Sequence, residues 1–537
     1  MSNELKSYEK KLNTKGWKVD NSGVAKVSQS DSGETISRRI TSIPVVPTAI
    51  YNNIDTDTEN VEIGVVYHGR WKKIIADRAT ISSNTSIVKL ATKGLPVDSS
   101  NAKHMVQYLN ETINNSVDKL PYSMARSYMG WIENEFMPYT SSIAFDGEDN
   151  FRSVYKCLSS AGTVEEWAAF VDPLMDRLPM RMMLAASFAS PLLEKVGENP
   201  FVLHCFGKTG IAKTVSLMVA MSVWGNPKPG GLVRTLNMTT NALLSTAAFL
   251  NNIPFAGDEL QTIKSRWNSY DNMIMCITEG IDRGRMSYDK LCETKTWKCT
   301  FITTGEDPCV LPNSGGGVKN RVIQIECNEP IVVDGNGTVN FLKRHYGTAA
   351  KPYIEEISKR DIQSEYEAIY SDIVRRGTDT TAKQAGAMSL ILLADRVACE
   401  LFFPLQTPLT FDDVKGFMFT DAEVDIAERA YAFICDKISE NANMFDKDCT
   451  RGCWGTLDKI NNYCMINKTI IDKLLRDNSF DFDAVKNPWY AKGYISMKNK
   501  RFQFLVRINN VVTNCVKIIL PPSEDETESE IDEDLGF

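Results

Sequence analysis

Histidine is scarce in this sequence, with four in 537 residues, which leaves the N-terminal part too poor in imidazole for a metal site. No apolar run approaches the roughly 18 residues that span a bilayer. The first residues, MSNELKSYEKKLN, are polar and lack the apolar stretch of a secretory signal, so a cytoplasmic protein with no membrane partner is expected. Paired cysteines are missing too. The thirteen cysteines stand singly, several inside apolar runs (Cys205, Cys327, Cys399), which suits reduced, buried thiols better than a disulfide framework. Cys449 and Cys453, with Cys464 beyond, have no neighbouring histidine to complete a zinc set. A surplus of positive charge is also absent. The formal net charge of −8 equals the eight acids of the last 17 residues, PPSEDETESEIDEDLGF, which hold no base. Residues 1–520 are therefore balanced, and the acidic total does not exclude a nucleic-acid partner. The tail's composition predicts disorder.

What is present fits a multidomain enzyme. The length exceeds one core, and 43% hydrophobic with 24% charged residues is the composition of globular domains. The most informative stretch is FVLHCFGKTGIAKT, residues 201–214. A short apolar run enters a glycine-bearing turn, closes on Lys213-Thr214, and is followed by an amphipathic segment. A phosphate-binding loop needs that order. Backbone N–H groups around Gly207, Gly210 and Ala212 would cradle phosphates, Lys213 would neutralise charge, and the Thr214 hydroxyl would hold Mg²⁺. Ala212 stands where the usual pattern has glycine. Downstream, NIPFAGDEL is a second apolar run, ending in Asp258-Glu259. An acidic pair at the end of a neighbouring strand would complete the site, Asp258 orienting the metal and Glu259 activating water. ATP and Mg²⁺ are the expected cofactors.

Composition shifts predict six segments: a flexible 1–40, an N-terminal α+β domain over 41–195, an α/β ATPase core over 196–345, a helical lid over 346–440, a winged-helix domain over 441–520 and a disordered acidic tail over 521–537. The N-terminal domain reads as β-prone runs with a hairpin at His68-Gly69, then helices through 98–195. The core reads as parallel strands 201–206, 233–238, 253–257, 297–303 and 322–326, with phosphate chemistry at their C-terminal ends. In the last unit, helices TLDKINNYCMI and NKTIIDKLLRD precede a basic ribbon carrying Lys498, Lys500, Arg501 and Arg507.

Strand 297–303 runs into Thr304, where a polar side chain would sense the γ-phosphate; a polar strand end is the plain alternative. Arg321 precedes the last strand. It would lie away from its own loop and reach a neighbouring subunit's nucleotide as an arginine finger, or else be structural. The insert GIDRGRMSYDKLCETKTW holds Arg283, Arg285, Lys290 and Lys295. In a ring these would track a DNA backbone; a solvated hairpin fits the charge pattern as well.

GKTGIAKT, with alanine before the lysine, resembles the P-loop of MCM-type AAA+ helicases. The acidic pair, the insert and the arginine follow in that family's order, and TAKQAGAMSLILLADR resembles its lid helix, with Lys383 at the sensor-2 position. More closely, VLHCFGKTGIAKT, VWGNP, AGDEL and FITTGE resemble MCM-like replicative helicases and initiators of bacterial mobile elements, the staphylococcal cassette chromosomes and pathogenicity islands. The resemblance covers most of residues 40–340. It implies an AAA+ core, a hexameric ring and ATP-driven translocation on DNA. Departures are a segment after residue 238 too short for that family's helix insert, threonine for asparagine at sensor 1, and a lysine at 383 that cannot bind bidentately. The expected function is a ring-forming DNA helicase that drives replication of a mobile element, with single- and double-stranded DNA as partners. An initiator using ATP only as an assembly switch, and a motor acting on protein, remain open. The final IDEDLGF resembles the acidic tip of bacterial single-stranded-DNA-binding proteins. This implies docking to host replication proteins, with a solubilising tail as the alternative.

Overall fold

The computed structural model describes residues 12–31, 33–147, 149–263, 270–283, 286–287, 290–291, 294–311, 314–376, 382–446, 449, 452–478, 480–508 and 511–521. The acidic tail beyond 521, with its expected disorder and docking tip, lies outside them.

Residues 17–41, expected to be flexible, instead form an antiparallel meander of β1 (Trp17–Asp20), β2 (Gly23–Gln29) and β3 (Thr35–Thr41). Trp17, Val19 and Val24 are buried, and the Trp17 indole donates to Glu111 at 2.7 Å, so the sheet is anchored to the helix Ala102–Asn114. Gly23, at φ +114°, lies so close to Thr41 that a Cβ would stand 1.8 Å from its carbonyl oxygen.

A second sheet follows. β4 (Val45–Asn53), β5 (Thr58–Tyr67) and β6 (Arg70–Asp77) are antiparallel, and His68 and Gly69 both take the left-handed conformation that a tight hairpin requires. β7 (Tyr122–Arg126) and β10 (Ile143–Phe145) extend it in the order β10-β7-β4-β5-β6, while β8 (Gly130–Ile132) and β9 (Glu135–Met137) form a separate hairpin. Residues 98–195 are thus not wholly helical. These strands of three to five residues carry little local signal, and β7 exists because it pairs in parallel with the distant β4.

The central sheet contains β11 (Val202–Phe206), β12 (Val233–Thr235) and β13 (Phe255–Asp258). After the small hairpin β14 (Met286–Ser287) and β15 (Lys290–Leu291) come β16 (Phe301–Gly305) and β17 (Val322–Glu326). All five long strands are parallel, in the order β12-β13-β16-β11-β17. Their nearly continuous apolar runs suit a sheet covered on both faces.

Apolar clustering divides the chain differently from composition. One cluster runs from Leu12 to Leu120, a second from Met129 to Val414 and a third from Ala427 to Ile518. The helix Leu178–Ala189, expected in the N-terminal domain, is buried almost all round between the sheet and the lid helix Ala382–Phe402. Arg181 fastens that packing through Asp395, at 2.7 and 2.8 Å. The helix Ile426–Glu440, expected in the lid, belongs to the third cluster.

In that last unit TLDKINNYCMI is a hairpin, not a helix: β18 (Gly455–Asp458) turns into β19 (Tyr463–Asn467). Asp458 accepts the N–H groups of Ile460 and Asn461, and Asn462 is left-handed, so local side-chain bonding outcompetes the helix. The helices Lys468–Asp477 and Phe482–Ala491 follow. β20 (Phe504–Ile508) and β21 (Val511–Ile519) then complete a four-stranded sheet ordered β18-β19-β21-β20.

Candidate functional site

β11 ends at the sheet's C-terminal edge in the loop 207–212, and the helix Lys213–Met221 begins directly after it. Gly207 and Gly210 take positive φ, and at Gly207 a Cβ would meet the Cys327 carbonyl at 2.3 Å. Ala212 is left-handed as well, at φ 63° and ψ 33°, and no side chain caps the helix. The first N–H groups of that helix therefore face the loop as an anion-attracting end. Lys213 is curled over the loop, its Nζ donating to the carbonyls of Gly207 at 2.6 Å and Lys208 at 2.8 Å.

Asp258, the last residue of β13, is held by three donors. Thr214 Oγ1 donates to Oδ2 at 2.5 Å, Thr304 Oγ1 to Oδ1 at 2.5 Å, and the Glu259 N–H to Oδ1 at 3.0 Å. The cleft above is lined by Lys213, Thr214, Asp258, Glu259, Gly305 and Glu306, among others. Thr304, expected to sense phosphate, is fully buried, does not line the cleft and donates its hydroxyl proton to Asp258.

Several neighbours went unread in the sequence. Thr209 donates to Glu306 across the cleft at 2.5 Å. Gln261 lines the cleft from the turn after Glu259. His204, buried in β11, is bonded through both ring nitrogens, to Thr303 Oγ1 at 2.9 Å and the Asp307 carbonyl at 3.0 Å. The carbonyl can only accept, so Nε2 carries the proton and Nδ1 accepts from Thr303. Burial pushes its pKa down to about 4, with nearby Lys213 acting in the same direction. An apolar recess bounded by Phe170, Leu174, Ile331 and Val333 adjoins the loop, since the Ile331 N–H donates to the Ile211 carbonyl at 2.9 Å.

Other expected site residues fall elsewhere. Arg321 precedes β17 at the opposite end of the sheet, where it pairs with Glu279 at 3.1 Å and donates to the Gly317 carbonyl. Lys383 is exposed in the first turn of the lid helix and does not line the cleft. In the insert, β14 and β15 pair into a hairpin whose base is closed by Asp282 and Lys295. Arg283 is exposed and Lys295 Nζ reaches Ser245 Oγ at 3.0 Å. Arg285 and the side chain of Lys290 lie outside the described residues. Lys498, Lys500 and Arg501 are exposed on one tight turn, with Asn499 and Lys500 both at positive φ, and Arg507 is exposed on β20.

A family model described as a domain of unknown function, DUF927, matches residues 14–295. The chain belongs to this family. The DUF927 span includes the loop, Lys213, Thr214, Asp258 and Glu259, and stops just short of β16. A second model, described as the Cch helix turn helix domain, matches residues 425–521, the stretch of the third apolar cluster. A solved structure described as "SCCmec type IV Cch - active helicase" matches this DUF927 chain with a TM-score of 0.70 at 17% identity, covering 96% of this chain and 99% of that one. The resemblance to mobile-element helicases drawn from the sequence is thus met at the level of fold. A structure described as the A form apo NrS-1 C terminal region has a TM-score of 0.31 at 11% identity, covering 89% of this chain and 97% of that one. No curated protein matches the chain.

Proposed function

We propose that this chain is an AAA+ P-loop ATPase and an ATP-driven DNA helicase of a mobile genetic element, working as a ring, with the hexamer as its form. The observation that carries the reading is the meeting of Lys213, Thr214, Asp258 and Glu259 at the C-terminal edge of a five-stranded parallel sheet, with Arg321 at the other edge. A strand rises about 3.3 Å per residue, so the five residues of β17 set Arg321 about 16 Å from that edge. Such an arginine serves a neighbour's nucleotide rather than its own. The likeness in fold to a structure described as an active helicase supports the same reading.

ATP's phosphates would lie along the loop N–H groups and Lys213, with the base against the recess of Phe170 and Ile331. The donor set fits Mg²⁺. Thr214 and Asp258 offer two hard oxygens side by side, and Mg²⁺ keeps waters and phosphate oxygens rather than an all-protein cage. Bound there, the ion supplies neutralisation of phosphate charge. Glu259 takes the proton of the attacking water, and Arg321 from the next subunit stabilises the charge of the transition state. Lys383, at the start of the lid, would act on an adjacent subunit, since it stands outside its own cleft. Arg283, Arg285, Lys290 and Lys295 of the insert would track one strand, and Lys498, Lys500, Arg501 and Arg507 would hold duplex phosphates.

ATP hydrolysis with and without single-stranded DNA tests this. Wild-type protein should be stimulated, while Lys213→Ala and Glu259→Gln should be inactive. An arginine finger is worth about 10³–10⁵ in turnover, so Arg321→Ala should lose hydrolysis yet keep nucleotide binding. Co-expressed Glu259→Gln and Arg321→Ala chains should regain partial activity, because some interfaces then join an intact glutamate to an intact arginine. No recovery in mixed assemblies would refute the shared site.

A further inference from the structure

We propose that Gln261 is a water-positioning residue of the hydrolytic site, a reading that rests on ATP hydrolysis in this cleft. Its location is imposed by the backbone. Glu259 is left-handed at φ 59°, which folds the chain into the short turn Leu260–Ile263. Thr262 closes that turn, donating both its N–H at 3.0 Å and its hydroxyl at 2.8 Å to the Glu259 carbonyl. Leu260 and Ile263 are buried beneath it. With those two side chains pointing inward, Gln261 faces the cleft beside Glu259 and Glu306.

The amide oxygen of Gln261 is closed off from solvent and has no hydrogen-bond partner among the described residues. It lies against the end of β16, 3.3 Å from where a Cβ on Gly305 would stand. A buried carbonyl left without a donor is destabilising. Only a donor can satisfy it, and the side-chain donors that line this cleft among the described residues are committed. Thr214 and Thr304 give their hydroxyl protons to Asp258, Thr209 gives its own to Glu306, and Lys213 is bonded to two loop carbonyls. Asp258, Glu259 and Glu306 are acceptors when ionised, as are the phosphate oxygens of ATP. Water is the reactant that brings protons.

Turned about its last side-chain bond, the amide brings that oxygen to the open cleft, and a water held between Glu259 and Gln261 then directs one O–H to each, which turns an oxygen lone pair toward the terminal phosphorus. In the step that follows, the water oxygen bonds to phosphorus and the bond from phosphorus to the ADP oxygen breaks. Glu259 receives one proton, and phosphate and ADP leave. Gln261 exchanges no proton; it accepts a hydrogen bond throughout, and that contact selects the attacking orientation. Gly305 has no side chain to occupy the space beside the amide.

The test is steady-state hydrolysis by the full chain with single-stranded DNA, alongside binding of a fluorescent non-hydrolysable ATP analogue. Gln261→Met keeps the length of the side chain and removes the acceptor. It should lower kcat by about tenfold, the worth of one hydrogen bond in the reacting complex, with KM and analogue binding unchanged. Gln261→Glu restores an acceptor at the same reach, so it should recover much of the lost turnover. Wild-type kcat in Gln261→Met would overturn the proposal, as would equal loss in both variants together with weakened analogue binding. If the wild type fails to bind the analogue or to hydrolyse ATP, the nucleotide reading itself falls. A wild type that hydrolyses, a dead Lys213→Ala and an unaffected Gln261→Met would remove this inference alone.

Discussion

Replacing Thr304 with valine separates two roles for one hydroxyl. Asp258 is oriented by Thr214 on one oxygen and by Thr304 with the Glu259 N–H on the other. A Thr214 hydroxyl lent to Mg²⁺ would use a lone pair and could still donate its proton to Asp258, so Thr304→Val would remove one of the two side-chain anchors of the carboxylate. A hydrogen bond to a charged group is worth roughly 1.5–3 kcal/mol, and each 1.4 kcal/mol is a factor of ten. Thr304→Val should therefore raise the Mg²⁺ concentration at half-maximal ATPase by about tenfold, with 100-fold as the upper limit. The side chain is wholly buried and valine matches its shape, so folding should survive. The assay is ATPase rate against free Mg²⁺ at saturating ATP. An unchanged Mg²⁺ midpoint with a lower kcat would refute the reasoning, and would return Thr304 to the direct sensing of phosphate expected from its position in the sequence.

Three other outcomes follow from the geometry. Ala212 is left-handed, which costs an L-residue roughly 1–2 kcal/mol, partly offset by glycine's extra chain entropy of roughly 0.5–1 kcal/mol. Ala212→Gly should then raise Tm slightly, by about 1–3 °C, and a lower Tm by calorimetry would contradict the strain. His204 is neutral and buried, with its pKa lowered to about 4 against an ordinary 6.5. Because the unfolded chain takes up a proton first, its contribution is present above pH 6.5 and is lost as pH falls toward 4, with about 2 kcal/mol gone by pH 5. In denaturant titrations His204→Gln should flatten that pH slope, and an equally steep slope would rule out His204 as its source. Arg181→Met leaves Asp395 charged and buried without its partner, so unfolding free energy should drop by about 3–5 kcal/mol, and a change below 1 kcal/mol would contradict the pairing.

The nucleotide-facing strands of the parallel core were legible because β11 and β13 are buried apolar runs ending in chemistry that local sequence displays, FVLHCF before GKTG and PFAG before Asp258-Glu259. The hidden parts depend on partners far along the chain. β7 and β10 are too short to announce themselves, and β18–β19 is decided by Asp458 bonding its own backbone. Residues 17–41 looked loose because their anchor, Glu111, lies some ninety residues away. The same holds within the site. Lys213, Thr214, Asp258 and Glu259 could be named from motif order. That Thr304 serves Asp258, or that Glu306 and Gln261 share the cleft, depends on which strands are neighbours. One signal was available for Gln261: its place two residues after the glutamate, on a turn closed by Thr262.

Strand displacement on a forked DNA duplex is the most direct test of the central claim. With wild-type protein, ATP and Mg²⁺, the labelled strand should be released, and Lys213→Ala or a non-hydrolysable ATP analogue should prevent release. DNA-stimulated ATPase with no displacement, on forks presenting either a 3′ or a 5′ arm, would contradict a helicase and leave an ATP-switched initiator in its place.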